Sequence, residues 1–262
     1  MTKITLYRAD GIAVVTLCAP PMNALDAPLL EELAQLITGL AADTTVRAAV
    51  ITGEGRAFSA GLDLKSAPTL DRIGQQRLVT ALNNAFGTLY AWPKPLVAAI
   101  QGHAIAGGLI MALCADGRVA ADVPMQISLA EVRVGVTYPV SPLEIARAEL
   151  SAAVSRRLVL LGESLDAAAA ERLGVVDQRV PADDLIEAAL ARAARHAQLP
   201  PLAFATTKRE LRAGALARID AARVGHGEPR LESWLGDEMR RAAAAAVGSA
   251  SRPSNEAVRH GA

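Results

Sequence analysis

Two stretches of this chain share one plan, and that plan leaves few folds open. "VRAAVITGEGRAFSAGLDL" and "KPLVAAIQGHAIAGGLIMALCAD" each carry an uncharged apolar run, residues 48–51 and 96–100, too short for a helix and right for a buried strand. Each run leads into small residues and glycine, at 58–63 in the first stretch and 102–108 in the second. Small residues let a backbone come close to something. Such turns leave main-chain N–H groups unpaired, and the second runs straight into a helix, whose N-terminal dipole favours negative charge. Two donors from adjacent loops can converge on one oxygen. Taken singly, either stretch also fits an ordinary tight strand-to-helix turn.

The rest of the chain supports a layered α/β core. "ITLYRADGIAVVTL" reads as two strands around an Asp10-Gly11 turn. "NALDAPLLEELAQLITGLAAD" changes to the helical period, with Leu29, Leu33, Leu36 and Leu40 on one face beside Leu30 and Ile37. Asp26 is the expected N-cap and Pro28 lies in the first turn, where its missing N–H costs nothing. "DRIGQQRLVTALNNAFGTLYAW" is a more polar helix ending at Pro93, and "RVAA" and "MQISLA" are short strands. Strands alternating with helices imply parallel pairing through right-handed crossovers. From about Ser141 the pattern is helical and rich in alanine, with a break at Pro200-Pro201. The expected organisation is a core over residues 1–200 and a helical C-terminal region over 201–262, its last dozen residues disordered.

Composition removes several function classes. This 262-residue chain is 52% hydrophobic with 3% aromatic residues, so its core must be built mostly from Ala, Leu, Val and Ile. Lys and Arg number 27 against 27 Asp and Glu, which leaves no electrostatic footprint for nucleic acid or an anionic membrane. No uncharged run reaches the roughly 18 residues of a membrane span. "MTKITLYRADGIAVVTL" meets Asp10 before any long apolar stretch, unlike a secretory signal. Cys18 and Cys114 sit in apolar runs without metal-type spacing and read as reduced core residues of a cytoplasmic protein. The four histidines are scattered, and the P-loop, dinucleotide-binding, zinc-hydrolase and serine-hydrolase motifs are missing. Neither a metal nor a separate cofactor is expected.

In their order and spacing, "NALDAPLLEEL", "VRAAVITGEGRAFSAGLDL", "GHAIAGGLIMALCAD" and "ISLAEVRVGV" resemble the enoyl-CoA hydratase/isomerase (crotonase) family. The resemblance runs from about Ile12 to about Ile145 and more weakly through "LVLLGESLDAAAAERLGVVDQRVP". It implies an α/β fold, a crotonase-type spiral of ββα turns with a helical C-terminal trimerisation region. It also implies an acyl-CoA thioester substrate, with CoA part of the substrate, and a homotrimer or dimer of trimers. Apolar faces on the helices after Pro201, uncovered by a single core, fit that assembly. By position the oxyanion-hole amides are those of Leu62 and Gly107. The stretch Leu62, Asp63, Leu64 and Lys65 falls, with Gly107, where the family contacts CoA. Lys65 is the first candidate for a CoA phosphate, with Arg56 and Lys208 weaker ones; each is otherwise a solvated surface cation.

The catalytic set implied by the resemblance is incomplete. Two-carboxylate hydratases of the family carry a Glu three residues beyond the second oxyanion glycine, and this chain has Ile110 there. Isoleucine cannot hold, orient or deprotonate water. The other Glu position is kept as Glu131, between Leu129, Ala130 and Val132. Read alone, Glu131 is one acid among many and a surface residue. Buried beside a thioester, its pKa rises toward the range of a useful general base. Tyr138 is counted in the catalytic set because it resembles the catalytic tyrosine of methylmalonyl-CoA decarboxylases in this family; its plainer role is a pocket wall. Those decarboxylases carry a His where this chain has Leu62, which speaks against decarboxylation. His103 reads as a satisfied buried histidine and Asp116 as a structural cap. The leading expectation is an acyl-CoA enzyme with Glu131 as acid/base. Hydration is the family's commonest activity, 3,2-isomerisation needs only one carboxylate, and CoA binding without catalysis is the third possibility.

Overall fold

The computed structural model describes residues 3–63, 66 and 69–224. Leu64, Lys65 and the last dozen residues, on which three of the expectations above fall, lie outside the described residues. Asp10 and Gly11 both take positive φ, 52° and 77°, and reverse the chain between β1 (Ile4–Ala9) and β2 (Ile12–Leu17), which pair antiparallel. Helix α1 (Ala27–Ala42) starts where expected: the Leu29 amide donates to the Asp26 side chain at 3.0 Å, with Pro28 in the first turn. Its buried stripe is Leu29, Leu30, Leu33, Ala34, Ile37 and Leu40, while Leu36 is only half-buried.

The chain then winds through three similar circuits. The first comprises β3 (Ala48–Gly53), β4 (Ala57–Ser59) and α2 (Arg72–Tyr90). The second comprises β5 (Leu96–Ile100), β6 (His103–Ile105) and α3 (Gly107–Leu113). The third comprises β7 (Gly117–Ala121), β8 (Ile127–Ser128), a 3-10 turn at Glu131–Val134 and α4 (Val140–Glu149). Helix α5 (Ala152–Ser155), β9 (Ser164–Leu165), α6 (Ala167–Arg172), β10 (Gln178–Val180), α7 (Leu185–His196) and α8 (Pro201–Val224) follow. The first strand of each circuit joins a six-stranded sheet, order β1-β2-β3-β5-β7-β10, parallel except for the β1–β2 hairpin. The second strand joins a four-stranded sheet, order β4-β6-β8-β9. This is the expected spiral of ββα turns. Strands β3, β5 and β7 are buried along their whole length, which explains the uncharged sequences of β3 and β5; the one charge, Arg118 of β7, is buried beside Glu149 and Asp177.

Of the small sheet, only β8, within "MQISLA", was visible as a strand. Residues 57–59 and 103–105, read as parts of turns, are β4 and β6, and β9 and β10 carry no strand pattern. Strands of two or three residues are too short to show a period. Cys114 is a core residue as expected, whereas Cys18 is only half-buried and lies 3.6 Å from the Thr5 hydroxyl. Among the described residues no helix is long and apolar enough to cross a membrane.

Helix α8 packs against α2 and α4, and a buried ion cluster fastens it there. The Lys208 ammonium meets Asp116 at 2.7 Å, and Arg212 lies 3.3 Å from Asp116 and 3.5 Å from Glu149, stacked 4.1 Å above the Tyr90 ring. Asp116 also accepts the Leu96 amide at 2.9 Å, so it joins helix α8 to the sheet. Lys208 is 7% exposed, and burial pushes its pKa down to about 8. That placement commits Lys208 to the fold rather than to a CoA phosphate. Removing one member of a buried cluster strands the others, at about 3–5 kcal/mol. Asp116→Ala is expected to lower the urea unfolding free energy by about that amount. Asp122→Ala, whose carboxylate is 58% exposed beside Arg179, should cost less than about 1 kcal/mol.

Candidate active site

The loops that follow β4 and β6 lie side by side because those strands are parallel neighbours, with Ala57 opposite His103 and Ser59 opposite Ala104. The first loop is held from below by the segment after β2. The Leu25 amide donates to Gly61 O at 2.8 Å, Asp63 N to Leu25 O at 3.4 Å, and Ala60 N to Met22 O at 3.0 Å. Gly61 takes φ +76°, and a Cβ there would stand 2.8 Å from Ile105 O and 3.2 Å from Gly107 N. The two loops therefore touch through a bare Cα. In the second loop Ala106 takes φ 52° and ψ −122°, an unusual setting for a residue with a side chain, pinned by its amide donating to Ser128 O at 2.8 Å. Gly108 is forced by contact: a Cβ would lie 2.1 Å from Ser59 O. Among the described residues the amides of Leu62 and Gly107 donate to no protein acceptor.

These amides border a cavity of about 80 Å³. Leu82 and Phe86 of α2, Val134, Val136, Pro139 and Pro142 are among its other walls, and among the described residues Glu131 is its one ionisable lining side chain. Glu131 begins the 3-10 turn three residues after β8, the strand whose Ser128 carbonyl pins Ala106. Gly135, left-handed at φ 65°, closes that turn with its amide on Glu131 O, and Val136 N bonds the same carbonyl at 3.0 Å. The residue is half-buried as a whole, but its Oε2 is sealed from solvent. Burial pushes the Glu131 pKa up to about 7, against smaller downward effects from its own backbone and from the Tyr138 hydroxyl. Larger hollows exist, such as one of about 390 Å³ beside Val46, Pro95 and His196, at the other end of the sheet from these loops.

The structure thus brings Leu62, Gly107 and Glu131 to one cavity. Tyr138 is buried behind Glu131 and does not line the cavity, so it is not the pocket wall its sequence position suggested. Ile110, one turn into α3, is fully buried in the core and also off the lining. His103 is half-buried on β6, its Nδ1 accepting the Gln126 amide at 3.0 Å, which fits a satisfied structural histidine. Asp63 accepts the Ser66 hydroxyl at 2.8 Å, and Arg56 is exposed with Nε 3.1 Å from Met22 Sδ. Among the described residues no group of three or more His, Cys, Asp or Glu side chains could hold a metal ion.

Asn23 is the structural residue that sequence reasoning missed. It is 1% exposed at φ 50°, and its Nδ2 donates to Ala57 O at 2.7 Å and Glu54 O at 3.0 Å. Its Oδ1 accepts Ala19 N at 2.9 Å, and its carbonyl accepts the Ser59 hydroxyl at 2.7 Å. Its one sequence signal was an asparagine between a strand and a helix, where left-handed backbone is tolerated.

Fold and site together define a ββα spiral protein in which main-chain donors face a single buried carboxylate. The chain belongs to the enoyl-CoA hydratase/isomerase family, whose pattern matches residues 7–231. It is 31% identical over 217 residues to the 2,3-dehydroadipyl-CoA hydratase of Escherichia coli, covering 81% of this chain and 82% of that one. Human mitochondrial delta3-delta2-enoyl-CoA isomerase superposes with a TM-score of 0.85 at 27% identity, covering 95% of this chain and 98% of that one. A Mycobacterium tuberculosis protein, described in one structure as an enoyl-CoA isomerase and in another as a probable enoyl-CoA hydratase, superposes with TM-scores of 0.77 and 0.78 at 32% identity, covering 84% of this chain and 95% and 94% of those.

Proposed function

We propose that this protein isomerises 3-enoyl-CoA thioesters to 2-enoyl-CoA, with Leu62 and Gly107 as the oxyanion-hole amides and Glu131 as the base that carries the proton. The observation behind this reading is the cavity lining, among the described residues two unbonded amides and one carboxylate; isoleucine at position 110, in the core off that lining, adds no second acid. The thioester oxygen accepts both N–H groups. Glu131 takes a C2 proton, the electron pair moves into a dienolate whose negative oxygen the amides hold, and the protonated Glu131 returns the proton at C4. The double bond shifts from C3–C4 to C2–C3, and nothing is gained or lost. A carboxyl with a pKa near 7 suits both the abstraction and the return. The stretch Leu62, Asp63, Leu64 and Lys65 is proposed to run along the CoA moiety.

Hydration is the second reading, carried by the name of the Escherichia coli relative. It asks for a group that positions water opposite Glu131, and Ile110 supplies none. Incubation with a 3-enoyl-CoA and with crotonyl-CoA, following absorbance and C2 deuterium exchange, separates the readings. Rapid consumption of the 3-enoyl substrate with C2 exchange and slow crotonyl-CoA hydration is expected. Rapid hydration overturns the isomerase reading, and inertness toward both leaves a CoA-binding protein.

A homotrimer or dimer of trimers is proposed as the working assembly. Leu202 and Leu211 of α8 are 79% and 83% exposed, apolar surface that a second subunit can cover. Light scattering is expected to give three or six times the 27.3 kDa chain mass; a single-chain mass at micromolar concentration rules this out.

A further inference from the structure

Behind Glu131 the protein keeps two unpaired polar atoms together. The Tyr138 hydroxyl and Glu131 Oε2 are both shut off from solvent, and neither makes a formed hydrogen bond. Buried polar groups are nearly always paired, so two orphans in one place call for an explanation. They sense each other. Burial and then the Glu131 charge push the phenol pKa up, and the phenol in turn lowers that of Glu131. An ionised carboxylate can only accept, and a phenol that keeps its proton can donate. The Tyr138 ring is held firmly: it is 5% exposed in the core, and Pro139 and α4 follow directly. Ser141 ties that junction to Asn83 through N–Oδ1 at 2.9 Å and Oγ–O at 3.0 Å.

We propose that Tyr138 is a positioning residue: from outside the substrate cavity its phenol donates to one oxygen of Glu131, keeping the carboxylate ionised and turning the other oxygen toward C2. This rests on the reading of Glu131 as the base. Other ionisable groups on the surrounding elements have their own settings. Asp63 accepts from Ser66, His103 from Gln126, Glu144 pairs with Arg147 and Arg218, Arg157 with Glu163, and Arg133 lies along Gly162.

A hydrogen bond to the charged form lowers a carboxyl pKa, so removing it raises that pKa. In Tyr138→Phe the acid limb of kcat/KM for 3-enoyl-CoA isomerisation is therefore expected to move up by about one pH unit. Activity should fall about tenfold at pH 6 and recover to within about threefold at pH 9, with KM little changed. Global replacement of tyrosine by 3-fluorotyrosine, a more acidic donor of nearly the same size, should move the limb down, and should not do so in the Tyr138→Phe background. An unmoved limb in Tyr138→Phe, with equal loss at every pH, overturns the proposal. If that variant does not fold, an unmoved limb in the fluorinated protein overturns it. C2 exchange retained in Glu131→Gln defeats the base itself, whereas a dead Glu131→Gln beside an unmoved limb in Tyr138→Phe defeats only the positioning role.

Discussion

Glu131→Gln is expected to abolish both C2 exchange and turnover while acyl-CoA still binds. Glutamine keeps the size and one acceptor oxygen of the side chain but cannot take a proton, and a positioned general base contributes about 10²–10⁴-fold. A thioester α-proton is so weakly acidic that a base is required, and among the described residues Glu131 is the only ionisable side chain lining the cavity. The same substitution makes a stability prediction of its own. The folded-state pKa of about 7 lies above the ordinary 4.5, so the folded chain holds a proton that the unfolded chain releases between those values. Ionising buried Glu131 therefore lowers stability as pH rises through that window. Glu131→Gln escapes this cost and should be more stable than the parent at pH 8, by up to about 3 kcal/mol, with no gain near pH 4. Urea titrations at the two pH values measure it. A protein that is firmer yet inactive separates loss of chemistry from loss of fold. Retained exchange removes Glu131 as the base.

The second large effect is expected at Gly61. Its added Cβ in Gly61→Ala enters the seam between the loops, 2.8 Å from Ile105 O and 3.2 Å from Gly107 N, on backbone with φ +76°. Ile105 O and Gly107 N are main-chain atoms of the neighbouring loop, so the loops themselves must part. Losing the aim of one oxyanion donor costs about 10²–10³-fold in kcat, and here both amides are displaced relative to each other. Gly55 supplies the control: it has nearly the same φ, +75°, and a methyl group added there would meet nothing within 4 Å. Gly55→Ala should show the backbone cost alone, about 1 kcal/mol, and near-normal turnover. Equal activity of the two variants means that the seam between the loops is not what sets the rate.

Much of this was legible in the sequence for identifiable reasons. Glycine at 61 and at 107–108 marked the loops because side chains do not fit there, and the uncharged runs of β3 and β5 marked strands buried on both faces. The Asp26 and Asp10-Gly11 signals work through local hydrogen bonds and backbone preference, which composition displays directly. What sequence could not display was the third dimension of polar residues. Lys208 looked like a surface cation because its partner Asp116 lies 92 positions away. Asn23 carried no reading of its own because its partners Glu54 and Ala57 lie more than thirty positions further along the chain. Tyr138 looked like a wall because the turn at Gly135 that folds it behind Glu131 leaves little trace in residue spacing.

The pairing of β4 with β6 has a consequence for how such a protein can diverge. Consecutive windings of the spiral place the Leu62 and Gly107 amides beside each other through the fixed spacing of hydrogen-bonded strands, about 4.8 Å. The ruler is made of backbone, so its calibration survives wholesale replacement of the side chains around it. Lineages sharing only a third of their residues can then inherit the same pair of donors and differ in which single groups, such as Glu131 or Ile110, they mount around them. On the proposed reading, a change of reaction in this scaffold would ask for new side chains at a few mounting points and leave the backbone instrument that steadies the negative oxygen as it is.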